Sequence, residues 1–433
     1  MPEDVKLIIL KDKSILEKSD GSSETFEEGK NSKQAKARIK QVKDALSEGF
    51  LKELIQNIQK SPAVDTSIEP EQAAKIKALV DSVTSEVGRA LIGITTMQLC
   101  IKAICPEQSI RLHKGGAGGG SNFSWKEGIS MRTLDKSHIT PVLREYDLLR
   151  LNADGFMMTR SLAENYPYSK LYKAALRGGK SEWLEIVEDL ESGELEPLAG
   201  LKHLIVLLIN RSNNFIQLSN DCISKTDIYL ETNPSPEAIF SLINDFIDNS
   251  EYSARAFEIA IHAAYQAVDE KGYVEGFLKP ISQMRSANKK HGNIGDIEIL
   301  ETMEGMLINE AWDAKYGKPN LREELEELSE KLQHHPECRV AGFITNSSPT
   351  QSDEIQRRID ELEEMYDCSI KIWSFADWFE KEIKEFLEDD YNDFGPLWLR
   401  ALVESLCQHR RDKAPIDEPC EHWIKSLLVV FEN

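Results

Sequence analysis

Gly295-Asp-Ile-Glu-Ile299 and Leu307-Ile-Asn-Glu-Ala-Trp-Asp-Ala-Lys-Tyr316 are the stretches on which the reading of this chain turns. Both are apolar runs of strand length, and strand side chains alternate with period two. The first run therefore puts Asp296 and Glu298 on one face, and the second aligns Asn309, Ala311, Asp313 and Lys315. A short turn around Glu304-Gly305 makes the two strands hairpin neighbours, which brings Asp296 and Asp313 within reach of one divalent cation. Mg2+ prefers oxygen ligands and keeps several waters, so two carboxylates and a backbone carbonyl are enough to hold it. Lys315 then sits where an ammonium group orients an attacking water and stabilises charge developing on a phosphate.

The spacing alone says little, because acid-x-Lys also occurs at Asp4/Lys6, Glu28/Lys30, Asp269/Lys271 and Glu382/Lys384. Context separates Asp313-Ala-Lys315 from these: it ends an apolar strand, follows another that carries an acid 17 positions earlier, and precedes a helix and a further strand. The plainer reading of the same residues is a solvated sheet edge with an ordinary ion pair. Outward from the pair, helical periodicity is expected over residues 253 to 268, 321 to 332 and 352 to 365. Strands are expected at 294 to 300, 306 to 316, 339 to 345 and 369 to 375. Strands alternating with helices of this length predict an α/β core, a mixed sheet flanked by helices.

Asp296 followed by Asp313-Ala-Lys315, in helix–strand–strand–helix–strand order, resembles the PD-(D/E)xK nuclease core of type II restriction endonucleases. The pattern is departed from at one place, where Gly295 rather than Pro precedes the first acid. The resemblance covers residues 253 to 375, about a quarter of the chain. It implies a restriction-endonuclease-like core and Mg2+-dependent hydrolysis of double-stranded DNA at a short specific site. Asp296 and Asp313 would be the metal ligands, and Lys315 would position the water. Many members carry an acid on the first core helix, which here is Glu258, with Glu298 as the other acid that could join the metal. It further implies a DNA methyltransferase acting in the same restriction-modification system and a homodimer. A repair or mobile-element nuclease on the same core is the near alternative. A non-catalytic, largely helical interaction protein with a nuclease-like fold is the distant one.

The remainder of the chain is read around that core. The organisation expected is a mobile arm over residues 1 to 35 with one strand at 5 to 10, a mainly helical region over 36 to 250, the nuclease-like core over 251 to 376, and a helical extension over 377 to 433. The 433 residues carry 52 Lys and Arg against 74 Asp and Glu, a net charge of -22, which argues against indiscriminate attachment to a polyanion. Residues 101 to 180 are the exception, with 13 basic and 7 acidic side chains. Within the segment 108 to 180, Arg111, His113, Lys114, Arg132, Arg144 and Arg160 are interleaved with Phe123, Trp125, Tyr166 and Tyr168. Blocks of this kind look like those ahead of the nuclease core in some restriction enzymes. Arg and Lys can clamp phosphates, and Arg also reads base edges. The competing reading has the aromatics packing a loop-rich core and the charges solvated. Arg285, Lys289 and Lys290, with His291, precede the first acidic strand and would favour approach of a phosphate backbone.

Other motifs are excluded. The glycine tract from Lys114 to Ser121 lacks the GKS/T ending of a phosphate-binding loop, and no HExxH or GxSxG occurs. Glu323, Glu324, Glu326, Glu327 and Glu330 read as a solvated helix face. The seven cysteines form no CxxC pair, and no stretch is apolar enough to be a signal or a membrane span. A cytoplasmic protein with reduced thiols, and no membrane partner, is expected.

Overall fold

The segment expected as a mobile arm is a three-stranded antiparallel sheet in the computed structural model. Its strands are β1 (Lys6–Ile9), β2 (Lys13–Glu17) and β3 (Ser23–Glu27), with Leu7 opposite Leu16 and Ser14 opposite Phe26. Apolar residues are sparse here, but alternation turns Leu16 and Phe26 inward, where they pack with Leu112 and Trp125 about a hundred positions away. Short-range periodicity cannot register such a partner. The structure describes every residue except 1–5, 19–20, 62–66, 84–87, 116–122, 150, 152–153, 281–292, 306, 318, 350–351, 388–389, 410–419 and 433.

The chain divides into two compact units, Met1–Phe215 with Pro415–Glu418, and Ile216–Ala414 with Pro419–Asn433. The division falls inside the helix Pro197–Glu231 rather than near residue 250. In the first unit the helices Lys33–Ser47, Phe50–Lys60, Pro70–Asp81, Arg89–Ile104 and Lys180–Ser192 enclose one apolar core. Residues 89–104 are buried almost all round, and Gln98, inside that helix, is satisfied by the indole N–H of Trp183 at 2.8 Å. The described residues of the basic, aromatic segment after it include short helical pieces at Met131–Leu134 and Thr140–Glu145, joined by a π-helical turn at Asp135–Ile139.

The second unit is built on a five-stranded mixed sheet, in the order β4 (Phe277–Leu278), β5 (Ile297–Leu300), β6 (Ile308–Lys315), β7 (Val340–Thr345) and β8 (Ser369–Ser374). β4, β5 and β6 pair antiparallel, whereas β6, β7 and β8 pair parallel. The parallel pairs need crossovers, supplied by the helices Leu321–Leu332 and Asp353–Tyr366. Leu325, Leu328, Ile359 and Leu362 from these helices pack on Ala311, Ala341, Phe343 and Ile372 of one sheet face. The helix Ser253–Glu270 serves the other face, where the Tyr265 hydroxyl reaches Glu310 of β6 at 3.2 Å. Of the segment 377 to 433, expected as an extension, the helices Tyr391–Glu404 and Cys420–Val430 pack into this unit: the indole N–H groups of Trp398 and Trp423 donate to the carbonyls of Ala260 and Glu251, both at 2.8 Å. The protein is thus mixed α/β, and among the described residues no helix is long and apolar enough to cross a membrane.

Candidate active site

In the β5–β6 hairpin Ile297 stands opposite Trp312 and Glu298 opposite Ala311, and Asp296 immediately precedes β5. The Asp296 N–H donates to the Trp312 carbonyl at 2.8 Å, and the Asp296 carboxyl accepts from the Ala314 N–H at 3.1 Å. Gly295 fits here for a steric reason, since a Cβ would stand 2.4 Å from the Trp312 carbonyl oxygen. The two carboxyl groups lie within hydrogen-bonding reach of each other. Burial, and then the charge of Asp313, push Asp296 well above the usual carboxylate range. Burial also pushes Asp313 upward, but the hydrogen bond with Asp296 and the charges of Lys315 and Lys331 outweigh it and hold this acid below its ordinary value. The two acids of the pair are therefore pushed in opposite directions, Asp296 up and Asp313 down.

Lys315 Nζ lies 3.1 Å from Asp313 Oδ2 and 2.6 Å from Glu324 Oε2. Burial opposes its charge, yet Asp313 and Glu324 keep it firmly protonated, with its pKa raised. The three residues predicted from strand alternation are thus brought together. Glu298 does not join them. It is fully buried, accepts from Lys279 Nζ at 2.6 Å and from the Ile294 N–H at 2.6 Å, and so fastens the approach to β5. Glu258, on the helix Ser253–Glu270, is ion-paired with Arg255 one turn away, and Arg255 lies close enough to lower the pKa of Asp296. The link between Glu258 and the acid pair therefore runs through Arg255.

Three residues at the site were not among those expected: Arg255, Glu324 and Lys331. Glu324 was assigned to a solvated acidic face, but its neighbours Leu321, Leu325, Leu328 and Leu332 are buried, and it flanks that apolar stripe. Positions 324, 328 and 331 follow the i, i+4, i+7 steps of one helix face, a signal present in the sequence. A small pocket, partly open to solvent, lies beside Asp313 and is lined in part by Gly295, Glu324, Leu328 and Lys331. Among the described residues no group of three or more His, Cys, Asp and Glu could hold a metal ion. Two carboxyl groups in contact are nonetheless hard oxygen donors of the kind Mg2+ takes alongside water.

The residues expected to contact DNA in the first unit divide by burial. Arg111 is fully buried: it donates to the Tyr168 carbonyl at 2.8 Å and to both oxygens of Glu188 at 2.9 and 2.5 Å, and lies 3.3 Å from Glu24. His113 is buried and stacked on Tyr168 with ring centroids 5.3 Å apart, and burial pushes its pKa down to about 3. Neither side chain faces outward, so both are corrected from DNA contacts to core residues. The Arg111 charge is met internally by Glu188 and Glu24 rather than by solvent, which departs also from the competing reading, in which the charges were solvated. Arg132, Arg144 and Arg160 are exposed, and Lys114 is half-buried, bonded to Asn165 and 5.7 Å above the Phe123 ring. Arg285, Lys289 and Lys290 lie outside the described residues.

The sequence matches no protein-family model and no curated protein.

Proposed function

We propose that the second unit is the catalytic unit of a Mg2+-dependent endonuclease with a PD-(D/E)xK, restriction-endonuclease-like core, hydrolysing phosphodiester bonds of double-stranded DNA at a specific site. One observation carries this reading: two acids from adjoining strands meet side chain to side chain, with the Lys315 ammonium 3.1 Å from one of them. Asp296 and Asp313 would hold the cation. When bound, Mg2+ supplies Lewis-acid stabilisation of the phosphate and lowers the pKa of the attacking water. Lys315, kept protonated, donates to that water and to the phosphate oxygen on which charge develops. Glu258 acts from outside this set by holding Arg255, whose charge bears on Asp296.

DNA contact is assigned to Lys114, Arg132, Arg144 and Arg160, and to Arg285, Lys289 and Lys290, which precede the catalytic strands in the sequence. Their attraction would be screened by salt. A cognate methyltransferase, a homodimeric assembly and a cytoplasmic setting accompany a restriction role, and the cysteines among the described residues, free and buried, fit a reducing compartment. A second reading, a non-catalytic protein on the same scaffold, draws on the tight hold of Glu324 on Lys315.

Purified protein incubated with phage or plasmid DNA and Mg2+ tests the proposal. Discrete fragments are expected from the wild type, and Asp313→Ala or Lys315→Ala is expected to abolish cleavage while leaving DNA binding largely intact. Full cleavage by either variant removes the site, and no Mg2+-dependent nicking by the wild type favours the non-catalytic reading. Methylated and unmethylated plasmids, compared in the same assay, separate a restriction role from repair.

A further inference from the structure

Lys331 stands in the last turn of the helix Leu321–Leu332, seven residues after Glu324. Its ammonium group donates to the Ile294 carbonyl at 2.9 Å and lies 3.7 Å from Asp313 Oδ2, the oxygen that also takes Lys315. Ile294 is two residues before Asp296, so one side chain spans both halves of the acid pair. The same short segment is fastened from its other side, where Glu298 accepts from the Ile294 and Gly295 N–H groups at 2.6 and 3.4 Å and is itself held by Lys279. The peptide entering β5 thus has its N–H groups tied to the sheet and its carbonyl tied to the helix.

We infer that Lys331 is a positioning residue: it holds the Ile294–Asp296 segment against Asp313 and so assembles the two-carboxylate site before any cation arrives. This rests on the proposed nuclease reading for its consequence, cation binding, but not for the tether itself. A lysine there has a cost in charge, since an ammonium group near the acids repels an incoming divalent ion. Its tether to Ile294 offsets that cost, because preassembled ligands bind without first being ordered. Charge and tether therefore predict opposite effects when the ammonium group is removed, which makes the inference testable.

The test uses the full chain and Mn2+ as the probe. Lys331→Met keeps the length and the helix propensity of the side chain but removes the charge and the donor; Lys331→Arg keeps both. Hydrogen exchange is read at the amides of Asp296 and Ala314, with Ile344 and Ile372 as internal references, and Mn2+ affinity is read by titration calorimetry. Lys331→Met is expected to speed exchange at Asp296 and Ala314 at least tenfold, to leave the reference amides unchanged, and to weaken Mn2+ binding at least tenfold. Lys331→Arg is expected to restore most of both. Unchanged exchange in Lys331→Met overturns the inference, as does tighter Mn2+ binding, which would make Lys331 a mere counter-charge. A lower melting temperature with unaltered Mn2+ affinity also overturns it, by showing a role in stability alone. Faster exchange in Lys331→Met together with no Mn2+ binding by the wild type would leave the tether standing and remove the nuclease reading, so the two failures are distinguishable.

Discussion

Arg111→Met separates a core arginine from a DNA-binding one. The guanidinium is fully buried and bidentate to Glu188, with a third bond to the Tyr168 carbonyl. Removing one partner of a buried ion pair costs about 3–5 kcal/mol, because the other charge is left behind. The Glu188 side chain is 27% exposed and regains part of its hydration, which places the charge cost near the lower end, at about 3 kcal/mol. The abandoned Tyr168 carbonyl adds about 1 kcal/mol. A domain of the size of Met1–Phe215 loses about 2–4 °C of melting temperature per kcal/mol, so a fall of about 8–16 °C is expected for its transition in scanning calorimetry. The double variant Arg111→Met/Glu188→Met removes the stranded charge and is expected to recover part of that loss. DNA affinity, measured well below the transition, is expected to stay within about threefold of wild type. A melting temperature within 2 °C of wild type, combined with a tenfold loss of DNA binding, would refute the assignment of Arg111 to the core.

Two further outcomes follow from the carboxylates. The raised Asp296 means that the folded state binds its proton more tightly than the unfolded state does, so stability is lost as pH rises from about 4 through the folded value. In EDTA, Asp296→Asn is therefore expected to gain on the wild type as pH rises above about 4 in urea unfolding; a constant difference would contradict the raised Asp296. Asp135, buried in the π-helical turn, accepts from Thr140 and from the Met157 N–H at 2.7 Å, and burial raises it from 3.8 to about 6. That rise corresponds to about 3 kcal/mol of stability present below pH 4 and lost by pH 7, and Asp135→Asn is expected to flatten the profile of the first unit. A wild-type profile already flat over that range would count against it.

What could be read in advance follows from the range of each interaction. The helices Leu321–Leu332 and Asp353–Tyr366 and the hairpin that carries Asp296 and Asp313 are written in local periodicity, and their positions match the pattern closely. Arg111 carries no such mark, because its partners Glu188 and Glu24 lie 77 and 87 positions away, and nothing local distinguishes a buried guanidinium from a solvated one. The sheet β1–β3 escaped for the same reason, its core being completed by Leu112 and Trp125. Glu324 and Lys331 were legible in principle: an acidic run on a helix conceals the one acid that borders the apolar stripe, and helical spacing identifies it.

β6 has a further property. On one side it carries Ala311, Asp313 and Lys315, and on the other Glu310, Trp312 and Ala314, with Glu310 bonded to Tyr265 at 3.2 Å and to the Trp312 indole at 2.5 Å. Sliding this strand by a single position would exchange the two sides, driving an indole among the acids and an ionised aspartate among tryptophans. No near-miss pairing is tolerable, so the charged centre doubles as the ruler by which the sheet aligns itself. The alignment that folds the second unit is the same one that brings its acids face to face.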